Sequence, residues 1–176
     1  IDGMGEGVGQ YRVLGEFPGL LQHGLTREDI LGRIPKETSL IGITSMFSRS
    51  WLFTRLLINE IHKQFPEVPL IAGGEHITGC AEYVLKDCSA LTCCALGEGE
   101  ETIIDIVDAI ENNRPLATVE GIGFVENGQV RFTPRRQRIR GIDAIPRPAW
   151  GLIPVKVYLD NQIMTGFNYG RTMPIL

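Results

Sequence analysis

Between residues 40 and 111 the chain repeats one pattern three times: a short apolar run, a turn of glycine or serine, then an amphipathic stretch. Leu40-Ile41-Gly42-Ile43-Thr44 passes through Ser45-Met46-Phe47-Ser48 into a segment carrying Trp51, Leu52, Arg55, Leu56, Ile58 and Ile61. Val68-Pro69-Leu70-Ile71-Ala72 leads through Gly73-Gly74 to a helix expected over 78–85. Ala90 to Leu96 leads through Gly97-Glu98-Gly99-Glu100 into residues 101–111, where Ile103, Ile106, Val107 and Ile110 share one helical face. Strands alternating with helices at this spacing require right-handed β-α-β units on a parallel sheet flanked by helices. The fold class is therefore α/β. In such sheets ligands lie outside the carboxyl ends of the strands, where all three turns fall.

The flanks follow a different grammar. The first 25 residues are glycine-rich and irregular, and Ile1-Asp2 reads as the close of a strand. Thr26-Arg27-Glu28-Asp29 is a helix start, a hydroxyl cap with acids in the first turn, and Pro35 ends that helix. Beyond Asn112-Asn113-Arg114-Pro115, two β-type runs flank Asn127-Gly128, a hairpin signal. Residues 133–155 hold four prolines and read as an extended connector. The organisation expected is an α/β domain over 1–115, a β-hairpin appended over 116–133 and a connector over 134–176. Arg131, Arg135, Arg136, Arg138 and Arg140 form a basic stretch with Phe132 its only aromatic, a solvated face or a domain contact rather than a nucleic-acid patch.

Composition removes several function classes. The 176 residues are 43% hydrophobic and 22% charged, which excludes a disordered chain. No apolar run approaches the roughly 18 residues of a membrane span. A formal net charge of -4 gives no general attraction for nucleic acid. Cys80, Cys88, Cys93 and Cys94 fit neither a CxxC pair nor a zinc set and read as free thiols in a reducing cytoplasm. No nucleophile elbow, P-loop or GxGxxG fingerprint occurs. No catalytic residue and no protein ligand to a metal is expected.

The three turns carry the candidate binding residues. Thr44, Ser45 and Ser48 offer hydroxyls, and Met46 and Phe47 an apolar surface. Gly73 and Gly74 allow a ligand to lie against backbone, with Glu75, His76 and Thr78 opening the helix that follows. Gly97, Glu98, Gly99 and Glu100 place carboxylates where ligand hydroxyls or amides are held, or where they complement a helix dipole. Of the other histidines, His62 is expected to face solvent and His23 lies in the irregular opening segment.

In order and spacing these pieces resemble the cobalamin-binding domain that precedes the catalytic barrel of many radical SAM enzymes. The resemblance rests on Ile41 to Phe47, Ala72 to Thr78 and Leu96 to Thr102, with the connector Asp143-Ala144-Ile145-Pro146-Arg147-Pro148-Ala149-Trp150 and then Tyr158. It implies a Rossmann-like, flavodoxin-like parallel sheet, flanked by helices, that holds cobalamin. Ser45 and Gly73-Gly74 would line the nucleotide tail, and Gly97 to Glu100 would close over it. It implies a longer parent protein, with a first strand and helix upstream and a radical SAM domain downstream. S-adenosylmethionine and the iron-sulfur cluster belong to that downstream domain, because the four cysteines do not spell CxxxCxxC. Methyl transfer through methylcobalamin is the reaction expected of the parent, and this chain by itself is not expected to cleave S-adenosylmethionine. Methionine-synthase-type domains carry an axial histidine in Asp-Xaa-His-Xaa-Xaa-Gly; here Asp2-Gly3-Met4-Gly5-Glu6-Gly7 has Met4 in its place, so no protein nitrogen is expected on cobalt. Two other readings share the architecture. A receiver-type signalling module needs an acidic pair, an Asp and a Lys at its strand ends, where this chain has Thr44-Ser45, Gly73-Gly74 and Gly97-Glu98. A flavin-binding module of the flavodoxin type carries a phosphate loop rich in Ser and Thr, which is not visible in this sequence, and a plain interaction module is the remaining alternative.

Overall fold

The computed structural model describes residues 1–15, 17–141, 143 and 145–163; the closing stretch 164–176 and Ala144 of the connector lie outside these. The chain gathers into two units. One spans Pro35–Ile145, and the other joins Ile1–Ile34 to the described residues from Pro146 onward.

In the terminal unit, β1 (Tyr11–Val13) and β2 (Leu21–His23) pair antiparallel, Tyr11 opposite His23 with their rings stacked at 4.4 Å. Helix α1 (Arg27–Gly32) starts where the sequence places it. Thr26 accepts from the Asp29 amide and Asp29 accepts from the Thr26 amide, a reciprocal capping box. Asp2 accepts from the Gly5 amide at 3.0 Å and from the Tyr158 hydroxyl at 2.8 Å.

The larger unit carries a five-stranded mixed sheet: β3 (Ile41–Thr44), β4 (Leu70–Gly73), β5 (Cys93–Ala95), β6 (Ile122–Glu126) and β7 (Gln129–Phe132), in that spatial order. The first three run parallel, joined by α2 (Trp51–Gln64) and α3 (Glu75–Asp87), and α4 (Glu100–Glu111) follows β5. The parallel β-α-β sheet expected from the alternation is present, and with it the Rossmann-like architecture that the resemblance implies. The expected hairpin is present as β6 and β7, and β6 pairs antiparallel with β5, so the hairpin extends the sheet.

Packing on both faces explains the uninterrupted apolar strands. Ile106 and Ala109 of α4 meet Ile71, Cys93, Ile122 and Phe124 on one face. Helix α3 crosses β4 to β7 on the other, where Leu85 and the Phe132 ring close over Gly123. Helix α2 is tied to α3 through Asp87, which accepts from the Trp51 indole at 2.9 Å and from Arg55 at 2.6 Å.

Two boundaries differ from expectation. Helix α3 begins directly after Gly74 rather than at Thr78, and Cys80 interrupts it with φ -129° and ψ 24°. The proline-rich connector contains a helix, α5 (Val155–Asp160), with Pro154 at its N-cap, where a missing backbone N–H costs no helical hydrogen bond.

Candidate functional site

Direct bonds join the three turns at the carboxyl ends of β3, β4 and β5. Thr44, exposed, stands in register with Gly73. The next amide, Ser45 N–H, donates to the Gly73 carbonyl at 2.8 Å, and the Ser45 carbonyl accepts from the His76 amide at 3.2 Å. Ser48 Oγ lies 2.9 Å from His76 Nδ1. The second and third turns meet where the Gly97 amide donates to Thr78 Oγ1 at 3.0 Å. Thr78 thus serves as a bridge between corners.

Gly74 is dictated by the fold. Its φ is +106°, and a Cβ there would sit 2.7 Å from the Ser45 carbonyl oxygen. Gly73 is different: the nearest atom to an added Cβ is 4.0 Å away, so packing alone does not require a glycine. Gly99, ahead of α4, likewise meets nothing within 4 Å. These two glycines leave room along the rim.

Ser45 is 2% exposed and His76 7%, and Ser45 Oγ and His76 Nε2 are buried without a hydrogen-bond partner. The His76 ring is held by Ser48 on one nitrogen and by the Trp51 ring, 5.4 Å away, at a tilt. Whichever nitrogen carries the proton, Nε2 is left with one unsatisfied role. Buried polar atoms without partners are costly, and two of them stand together in this corner; a third, Arg136 Nε, lies elsewhere. Met46 and Phe47 are 43% and 55% exposed beside that corner.

The third corner is partly engaged by the chain itself. Gly97 adopts φ +75°. Glu98 Oε2 accepts the Ile139 amide at 3.0 Å, and its Oε1 lies 3.9 Å from Arg138. Glu75 and Glu100 are exposed in the first turns of α3 and α4, where carboxylates complement the helix dipole. Sequence reasoning missed the segment that meets Glu98: Arg136 pairs with Glu101 and Asp105 on α4. Burial opposes the Arg136 charge, yet the Asp105 and Glu101 carboxylates hold the guanidinium protonated. Five arginines in ten residues signal charge, but not which helix receives it.

Among the described residues, no three His, Cys, Asp or Glu side chains gather as a metal site, and no helix is long and apolar enough to cross a membrane.

No protein-family model matches the chain. It is 34% identical over 148 residues, 83% of its length, to an uncharacterized methyltransferase of Pyrococcus horikoshii. It is 26% identical over 167 residues to an anaerobic magnesium-protoporphyrin IX monomethyl ester cyclase of Rubrivivax gelatinosus. The chain spans about a third of each, 32% and 30% of their lengths. Among solved structures it overlays on TsrM, a radical S-adenosylmethionine methyltransferase from Kitasatospora setae with cobalamin and a [4Fe-4S] cluster bound. The TM-score there is 0.52 at 18% identity, covering 65% of this chain and 21% of TsrM. It overlays equally on OxsB, a cobalamin-dependent S-adenosylmethionine radical enzyme with aqua-cobalamin and S-adenosylmethionine bound. That match has a TM-score of 0.51 at 19% identity, covering 63% of this chain and 15% of OxsB. The resemblance read from the three corners is borne out: in fold the chain matches part of cobalamin-dependent radical SAM enzymes, and in sequence part of a methyltransferase.

Proposed function

We propose that this chain binds cobalamin along the carboxyl edge of β3, β4 and β5, as the cofactor-holding part of a radical SAM enzyme that transfers a methyl group. The observation that carries the reading is the pair of unpartnered buried atoms, Ser45 Oγ and His76 Nε2, beside Gly73 with its open Cβ position. The cobalamin tail has a phosphate, a ribose and a flat base; donors, hydroxyls and open backbone are what such a tail needs. Ser45 and His76 then supply a hydroxyl and a ring nitrogen, Gly73 a side-chain-free wall, and Met46 and Phe47 apolar cover. Gly97 to Glu100 supply a backbone turn and the Glu98 carboxylate. When bound, cobalamin supplies a metal centre able to carry a methyl group; these residues fix its tail and exclude water from it.

Fold neighbours that hold cobalamin support the reading, and a relative named as a methyltransferase supports the reaction class. The iron-sulfur cluster and S-adenosylmethionine are assigned to another part of the parent protein. Free thiols at all four cysteines, three of them buried, support a cytoplasmic setting.

The test is retention of hydroxocobalamin through desalting, read by corrin absorbance. The wild-type chain retains it in stoichiometric amount. Ser45→Ala lowers affinity about tenfold, the effect of one lost hydrogen bond. Its ligand-free thermal midpoint holds or rises, because an unpaired buried hydroxyl is removed. A wild-type chain that emerges colourless overturns the reading.

A further inference from the structure

Strand β7 runs parallel to β5, since each pairs antiparallel with β6. The chain therefore leaves β7 at the same sheet edge as the three corners. It is held there. The Leu96 amide donates to the Gly121 carbonyl at 2.8 Å, and the Gly121 amide donates to the Pro134 carbonyl at 2.8 Å. Arg136 lies over Gly121, its Cβ 3.4 Å from where a Gly121 Cβ would sit, and its side chain is only 18% exposed. From that position the guanidinium grips Glu101 and Asp105 one turn apart on α4. Three residues further on, the Ile139 amide meets Glu98 Oε2. The segment 134–139 is thus a strap pinned by backbone, ion pairs and one carboxylate.

Glu98 is the shared element. One oxygen is committed to the strap, while among the described residues the other has only the loose approach of Arg138, whose side chain is 92% exposed. With respect to the described residues, that second oxygen has room to accept from a ligand N–H or O–H without releasing the first.

We propose that the strap 134–139 is a fourth wall of the ligand site, and that Glu98 joins ligand and strap by accepting from both at once. The proposal rests on the cobalamin reading of the three corners and adds to it a binding element outside the β-α turns. The ligand groups that suit Glu98 are amide or hydroxyl donors, which the periphery of a corrinoid carries. Arg136 is a positioning residue: it acts through the strap, not on the ligand. An occupied site then holds the strap down more firmly than an empty one, because a ligand bond restricts the Glu98 rotamers and the entropy cost of ordering that side chain is met once for both bonds.

Hydrogen exchange of the full chain, with and without saturating hydroxocobalamin, tests this at the Ile139 amide. Wild-type protein should show exchange in peptides over 137–140 slowed at least about tenfold by the ligand. Glu98→Ala should abolish that slowing. Arg136→Gln should speed ligand-free exchange of the strap, and Arg136→Lys should restore part of the protection; unchanged exchange in the core peptides of β4 and β5 shows that the variants are folded. Corrin retained with strap exchange unchanged or faster overturns the fourth wall and leaves the cobalamin reading intact. Corrin not retained at all overturns that reading, and the fourth wall with it.

Discussion

One methyl group at Gly74 decides whether the first two corners can meet. With φ at +106° and the Ser45 carbonyl 2.7 Å from the Cβ position, Gly74→Ala forces the turn apart. A loss of about 1–3 kcal/mol is expected, read as a thermal midpoint several degrees lower. Gly73→Ala is the contrast: its Cβ meets nothing closer than 4.0 Å, so the midpoint holds, while on the proposed cobalamin reading the methyl intrudes on ligand space and corrin retention falls. The thiols also separate by surroundings. Burial pushes Cys93 and Cys94 up to about 12, and Cys88 is raised for the same reason, while Cys80 is half-exposed in the helix break. At pH 8 a thiol reagent should modify Cys80 in the native chain and all four thiols only after denaturation. Both core thiols stabilise the fold while protonated, so their contribution is intact below about pH 9 and is lost as pH rises toward 12.

At the scale of elements, the α2–α3 pair hangs on Asp87. Burial raises its pKa, but hydrogen bonds from Trp51 and Arg55 outweigh this and hold it below the usual carboxylate value. Its contribution is therefore full above the unfolded pKa and lost as pH falls through the lowered folded one. Asp87→Asn should cost about 1–3 kcal/mol at neutral pH and flatten the acid limb of stability, measured by denaturant midpoints from pH 3 to 7. The same scale shows what the chain declares openly. Thr26 with Asp29 announces α1, and the three glycine and serine turns announce the rim, because caps and turns depend on residues close in sequence. Helix α5 was masked by its prolines, although Pro154 opens it. The break at Cys80 and the grip of Arg136 on α4 depend on contacts far apart in sequence, which local pattern does not carry.

At the scale of the whole molecule, the sheet, its core and all three corners fall within Pro35–Ile145. A fragment of residues 35–145 should therefore unfold in one cooperative transition and, on the proposed cobalamin reading, retain corrin as the full chain does; loss of either would show that the terminal unit is needed for it. Strand β3 has a strand neighbour on one side only among the described residues, and its outward-directed positions, Gly42 and Thr44, are both exposed and uncharged. Nothing in Ile41–Thr44 resembles the lysines or prolines that guard many sheet borders. Concentrated preparations are thus open to lateral strand addition between molecules. Gly42→Lys, at a site with no atom within 4 Å of the new Cβ, should keep the fold and lower light scattering on storage.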